Sequence, residues 1–208
     1  MGITIYYRGR INSLDLIGPL SYEMEDIARS LGWGAHLWNE DLSKPNTARI
    51  QRRKDNIRII GHVPLNGITL FPHRDCEQLS LTFDRVGNLT DHFGMTLIAA
   101  GEKKSGESWL STKTQFSPLE THMTIVKIMQ YLKKHYVGNL EVHDDGGYWE
   151  TGDVQELRRR TDLISHSMDI LGRALSAQHL KSPATRTPEE IATIIERIFR
   201  DKFGGQDG

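Results

Sequence analysis

The chain has 208 residues, 38% of them hydrophobic and 25% charged, a formal net charge of −1 and a single cysteine. A chain of this length buries a self-sufficient core without a metal or disulfide staple, and its near-zero charge excludes a global field that would draw it to nucleic acid or an anionic membrane. Cys76 has no partner for an internal disulfide, which fits a reducing, cytoplasmic setting.

No apolar run approaches the roughly 18 residues of a membrane span, and the opening "MGITIYYRGRIN" has neither a signal-peptide core nor a targeting pattern. Tyr6 stands where a myristoylation motif requires Ser or Thr. In a reducing compartment the sequon at Asn88-Leu-Thr90 is idle.

Ile3, Ile5 and Tyr7 alternate as one face of a first strand. Leu16, Leu20, Met24, Ile27 and Leu31 then recur at helical spacing until Gly32, with Pro19 either setting the start at Gly18 or kinking the helix. A short strand at Ala35 to Trp38 follows, and this strand-helix-strand unit is expected to cross over right-handed. From Asn39 to Asn56 the chain is polar, with Pro45 and five basic residues, and reads as a loop. Between Ile57 and Phe116, the runs "IRIIGHV", "GITLF", "LSLTFD", "MTLIAA" and "WLSTKTQF" predict an antiparallel meander with a two-residue turn at Asn66-Gly67.

Ser117-Pro118-Leu119-Glu120 has the pattern of a helix start, with Ile125, Val126, Met129, Leu132 and Tyr136 on one face and Gly138 at the end. Asp145-Gly146 is a hairpin signal between "LEVHD" and "GYWET". Asp153 and Glu156 then cap a long helix whose Val154, Leu157, Thr161, Ile164, Met168, Leu171 and Leu175 form a heptad seam. Such a seam suits a core helix on the sheet, or a helix paired with its twin in a homodimer. "KSPATR" is a linker, and residues 188 to 199 predict a capped amphipathic helix with Ile191, Ile194, Ile195 and Ile198 on one face. A helix of a dozen residues needs that face covered, by its own domain or by the neighbouring chain, and the neighbour is favoured. The expected fold is α+β: one domain over residues 1–180 with an antiparallel-dominated sheet and helices mainly on one face, then a linker and C-terminal helix over 181–208.

Two groups of residues could do chemistry. In the hairpin, side-chain parity puts Glu141 and His143 on one face with Tyr148 and Glu150. If the turn is Asp145-Gly146 the two glutamates oppose each other; if it is Gly146-Gly147, His143 faces Glu150, an acid that could orient a general base. A half-buried hairpin with a wet polar side gives the same pattern. In the meander, a turn at Asn66-Gly67 would bring His62 within reach of His73, where Glu77, Asp75 and Cys76 complete a donor set suited to a divalent transition metal. The alternative there is a loop whose histidine and acids bond to the backbone. Cys76 as a nucleophile lacks any base placed by the sequence. "GEKKSGES" has P-loop glycine spacing, but Glu107 occupies the position of the phosphate-binding lysine. Arg49, Arg52, Arg53 and Lys54 lack the interleaved aromatics of a single-strand binder, so nucleic acid is not expected.

The segments "GITIYYRGR", "HRDCEQLSLTFD", "WLSTKTQF" and "DDGGYWETGD" resemble a group of bacterial proteins of unknown function over residues 1–175. That resemblance implies no activity. The expected function is a binding or protein-interaction domain that associates with a partner protein or with itself as a homodimer. The alternative is a hydrolase built on His143, Glu150, Glu141 and Tyr148, assisted by a metal at His62, His73 and Glu77.

Overall fold

The structure is a computed structural model and describes residues 2–53, 56–177 and 193. Strand β1 (Thr4–Arg8) buries Ile5 and Tyr7, and its alternate residues Tyr6 and Arg8 stand half-exposed. A 3-10 turn leads into α1 (Ile17–Leu31), which buries Leu20, Met24 and Ala28 and stops at Gly32, as its periodicity requires. The helix begins ahead of Pro19, which lies in the first turn where amides lack helical acceptors in any case.

Strand β2 (Gly34–Asn39) belongs to a different sheet from β1, so the right-handed crossover does not exist. Within the stretch that reads as a loop, β3 (Arg49–Arg53) pairs with β4 (Asn56–Ile60). In β3, Arg49, Gln51 and Arg52 are exposed and Ile50 is half-buried, which leaves no two-residue apolar period to read. Strand β5 (Asn66–Phe71) starts at the predicted turn: Asn66 pairs with Asn39 on one side and, on the other, with Phe83 of β6 (Leu79–Phe83). Gly67 is there for strand packing instead, since a Cβ on it would meet the Leu81 carbonyl oxygen at 2.3 Å and its φ is 134°.

After the short β7 (Leu89–Thr90), "MTLIAA" is not a strand but most of α2 (His92–Ala99). The Asp91 carboxylate accepts the Gly94 amide at 2.6 Å and so caps that helix. Strand β8 (Leu110–Lys113) precedes α3 (Leu119–His135), whose expected cap differs: the Ser117 hydroxyl donates to the Thr114 carbonyl, not to the helix. Strand β9 (Glu141–Asp144) ends in α4 (Tyr148–Thr151), a helical turn where the second hairpin arm was expected. Finally α5 (Val154–Ala177) starts at Asp153, whose carboxylate accepts the Gln155 amide at 2.8 Å.

Among the described residues all pairing is antiparallel, in sheets of order β8-β1-β9, β2-β5-β6-β7 and β3-β4, and together with helices α1 to α5 this makes the class α+β. Ile5, Tyr7, Ile68, Leu70, Leu79, Leu81 and Phe83 of the two larger sheets share one core with Leu20 and Met24 of α1 and Ile125 and Met129 of α3. The Glu23 carboxylate joins those helices by accepting the hydroxyls of Tyr131 at 2.6 Å and Tyr136 at 2.5 Å. A small second core of Ala48, Val63, Leu65 and Met95 lies apart from the first.

Gly2 to Arg158 form one compact unit, and a second unit begins at Arg159, inside α5. Along the seam Leu157 is buried, Thr161 and Ile164 are half-buried and Met168 is exposed. The side chains of Leu171 and Leu175, and the predicted helix over 188–199 apart from Thr193, lie outside the described residues. Among the described residues no helix is long and apolar enough to cross a membrane.

Candidate functional site

Asp144 explains why "DDGGYWET" is not a hairpin. Its carboxylate accepts the amides of Gly146 at 2.7 Å and Trp149 at 3.0 Å, which pulls the chain into a turn and a helical start. From α3, His122 Nε2 meets the same carboxylate at 3.2 Å, and His122 Nδ1 meets the Thr114 hydroxyl at 2.8 Å. Gly146 leaves room for this approach: a Cβ there would lie 2.6 Å from Leu157 Cδ1 and 3.1 Å from His122 Cε1, so those side chains would have to shift. Burial pushes the Asp144 carboxyl up, but the hydrogen bond and charge of His122 and the two amides outweigh it and hold the group below the usual carboxylate range. Thr114, His122 and Asp144 thus form the connectivity of a hydroxyl-imidazole-carboxylate relay. Their side chains are sealed, with His122 2% and Asp144 0% exposed, so no substrate reaches the hydroxyl and the chain serves as a structural clamp.

The four residues expected on one hairpin face are divided by the turn. Tyr148 and Glu150 lie in α4, so Glu150 opposes neither Glu141 nor His143. Glu141 and His143 remain together on β9, where they belong to the outer face of the β8-β1-β9 sheet. Register fixes the neighbours on that face. Arg8 pairs with Glu141, Tyr6 with Ser111 and His143, and Thr4 with Lys113, while Trp109 directly precedes β8 and the Asp145 amide, just after β9, donates to the Thr4 carbonyl at 3.1 Å. Arg8 donates to Glu141 at 2.7 Å and its guanidinium lies 4.6 Å from the centre of the Trp109 ring. Tyr6 stacks on His143 with ring centres 6.1 Å apart, and His143 Nε2 is 3.6 Å from the Asp145 carboxylate. Trp109 is 42% exposed, and Ser111, Glu141 and His143 are exposed.

The metal candidates separate as well. His62 precedes β5 and His73 follows it, a strand of six residues or about 17 Å between them. His62 Nε2 pairs with Glu40 at 2.6 Å, His73 Nδ1 accepts the Asp75 amide at 3.1 Å, and Glu77 accepts the Lys113 amide at 2.9 Å. This is the loop whose histidine and acids bond to the backbone, and among the described residues no three such donors are grouped to hold a metal. Cys76 is half-buried, and burial pushes its thiol up to about 11, with Glu77 adding to it against a hydrogen bond from Ser117. An open cleft of about 430 Å³ lies where the Tyr7 hydroxyl bonds both backbone groups of Ser80 beyond the end of β7. Asp91 and Glu77 also line that cleft.

Sequence reasoning missed His122 and Asp144. The signal for His122 was present, because it falls on the apolar face of its helix three and four residues before Ile125 and Val126. A histidine there needs a buried acceptor, and the paired aspartates after β9 offer one. Arg8, Tyr6 and Trp109 were missed because their strands are over a hundred residues apart in the chain. Comparison of the chain with family models, with curated proteins and with solved structures finds no match to any of them.

Proposed function

We propose that the protein is a protein-interaction domain whose docking surface is the outer face of the β8-β1-β9 sheet. One observation carries this reading: the Arg8 guanidinium lies 4.6 Å from the centre of the Trp109 ring, and Arg8 and Tyr6 share one half-exposed face of β1. Tryptophan, arginine and tyrosine are the residues that dominate interface energetics, because each combines a large desolvated area with a polar anchor. Glu141 and the Trp109 ring hold the Arg8 fork in place before any partner arrives, which lowers the ordering cost of binding. Hydrolysis is less well supported. Ser111 and His143 lie on opposite sides of β1, about 10 Å apart, beyond nucleophile-to-base reach.

The test is a photoreactive residue at Ser111 in cells, with Val86, which is 49% exposed, as the control position. The expected result is a discrete crosslinked protein species at Ser111 that Trp109→Ala abolishes. Equal labelling at both positions, or labelling insensitive to Trp109→Ala, would overturn the proposal.

A further inference from the structure

Strand β8 is an edge of its sheet, and one end of that edge is closed from within. The Glu77 amide donates to the Lys113 carbonyl at 3.0 Å, and the Glu77 carboxylate accepts the Lys113 amide at 2.9 Å. Backbone groups alternate in direction along a strand, so those of Ser111, two residues earlier, point to the same side as those of Lys113. Among the described residues the Ser111 amide and carbonyl have no hydrogen bond on that side, and Ser111 lines the open cleft of about 430 Å³. On the other wall the edge of β6 is satisfied by the chain itself, because the Tyr7 hydroxyl takes both backbone groups of Ser80 at 3.0 Å. The β8 edge is left for a partner strand.

The walls choose the chemistry of that partner. Glu77 and Asp91 both line the cleft, and among the described residues no lysine, arginine or histidine does. Each carboxylate gives one oxygen to a backbone amide, Glu77 to Lys113 and Asp91 to Gly94 at 2.6 Å, and its other oxygen has no bond among the described residues. Leu110 and the Phe71 ring, 47% exposed, add an apolar wall. Lysine and arginine match this lining, an alkyl stem under a charged head. We infer that β8 takes an extended peptide segment of a partner protein as a further strand, with a lysine or arginine of that segment in the cleft against Glu77 and Asp91. A residue paired with Ser111 shares its outer face, so the basic residue is the one before or after it. This inference rests on the reading of the protein as an interaction domain and adds the form and charge of the partner segment.

The probe is a display library of random decapeptides, selected against the full-length protein. Enriched sequences should share a lysine or arginine flanked by β-branched residues, with no proline beside it. Fluorescence anisotropy of the synthetic peptide then tests the geometry. N-methylation should spare the amide of the basic residue and abolish binding at its neighbour paired with Ser111, since only alternate amides face β8. Asp91→Asn keeps a capping side chain for α2 and Glu77→Gln keeps an acceptor for the Lys113 amide, and each should weaken binding about fivefold. Norleucine in place of the basic residue should weaken binding to the unsubstituted protein and have no further effect on the double variant. Circular dichroism controls for folding. Selected peptides without a shared basic residue, N-methylation effects that do not alternate, or variants that bind as tightly as the unsubstituted protein would each overturn the inference. So would a full-length dimer that the peptide dissociates, because the edge then belongs to a second copy. If no peptide is selected while the Ser111 crosslink persists and depends on Trp109, the outer face stands and the β8 edge does not. If the peptide behaves as expected while the crosslink ignores Trp109→Ala, the edge stands and the outer face does not.

Discussion

Asp144 concentrates more consequence than any other side chain in the body. It ends β9, starts α4 and receives His122, while its own burial is nearly complete. Asp144→Ala leaves His122 and two amides without their acceptor in the interior, and a loss of about 3–5 kcal/mol in urea unfolding is expected. The sign with pH follows from the direction of the shift. The folded carboxyl sits below its unfolded value of about 3.9, so its contribution is complete above that value and fades as pH falls through the lower folded value. Acid titration of unfolding free energy should show this extra slope below about pH 4, and Asp144→Ala should remove it. Cys76 behaves as its setting dictates: a thiol raised from 9.0 to about 11 should react with iodoacetamide at neutral pH about a hundredfold more slowly than a free cysteine. Alkylation at the free-thiol rate would disprove this.

At the scale of elements, α2 and the α1–α3 pair depend on single carboxylates. The α2 segment is an apolar run that suits a strand as readily as a helix, and the Asp91 cap decides between them. Asp91→Ala should cost about 1 kcal/mol and raise hydrogen exchange over residues 92–99 before it affects the main core. Between α1 and α3, Glu23 takes two phenol hydroxyls, and this bond, with burial and the charge of Glu23, pushes Tyr136 up to about 12. Glu23→Gln should return the Tyr136 ring signal to an ordinary titration near pH 10 in NMR. An unchanged midpoint would mean that the bond is absent in solution.

For the whole molecule, the division into one large and one small core predicts two unfolding behaviours. Met24 is fully buried where α1 meets the sheets, so Met24→Ala should lower global stability by about 2–5 kcal/mol. Met95 belongs to the small core, with Ala48, Val63 and Leu65. Met95→Ala should therefore loosen its neighbourhood, seen as faster exchange in α2, with a smaller shift of the global unfolding midpoint. Equal midpoint shifts for the two variants would show that the cores unfold as one.

How much was legible in the chain depended on the range of the force that decides each element. The first strand, α1 to its stop at Gly32, the body of α3 and the start of α5 at Asp153 all appear in the sequence, because periodicity and capping act within a few residues. From the same local signals come the α+β class and the antiparallel pairing. Contacts between distant residues decided the rest. Asn66-Gly67 became strand because β2 and β6 pair on either side of it. "GYWET" became helix because a buried carboxylate holds the Trp149 amide and, just before the segment, that of Gly146. Glu141 and His143 do share a face, as alternation alone requires. The partners of that face, Arg8, Tyr6 and Trp109, could be assigned only once β1 lay between β8 and β9, since sheet register is set by the burial of both flanking strands and not by the residues on the wet side.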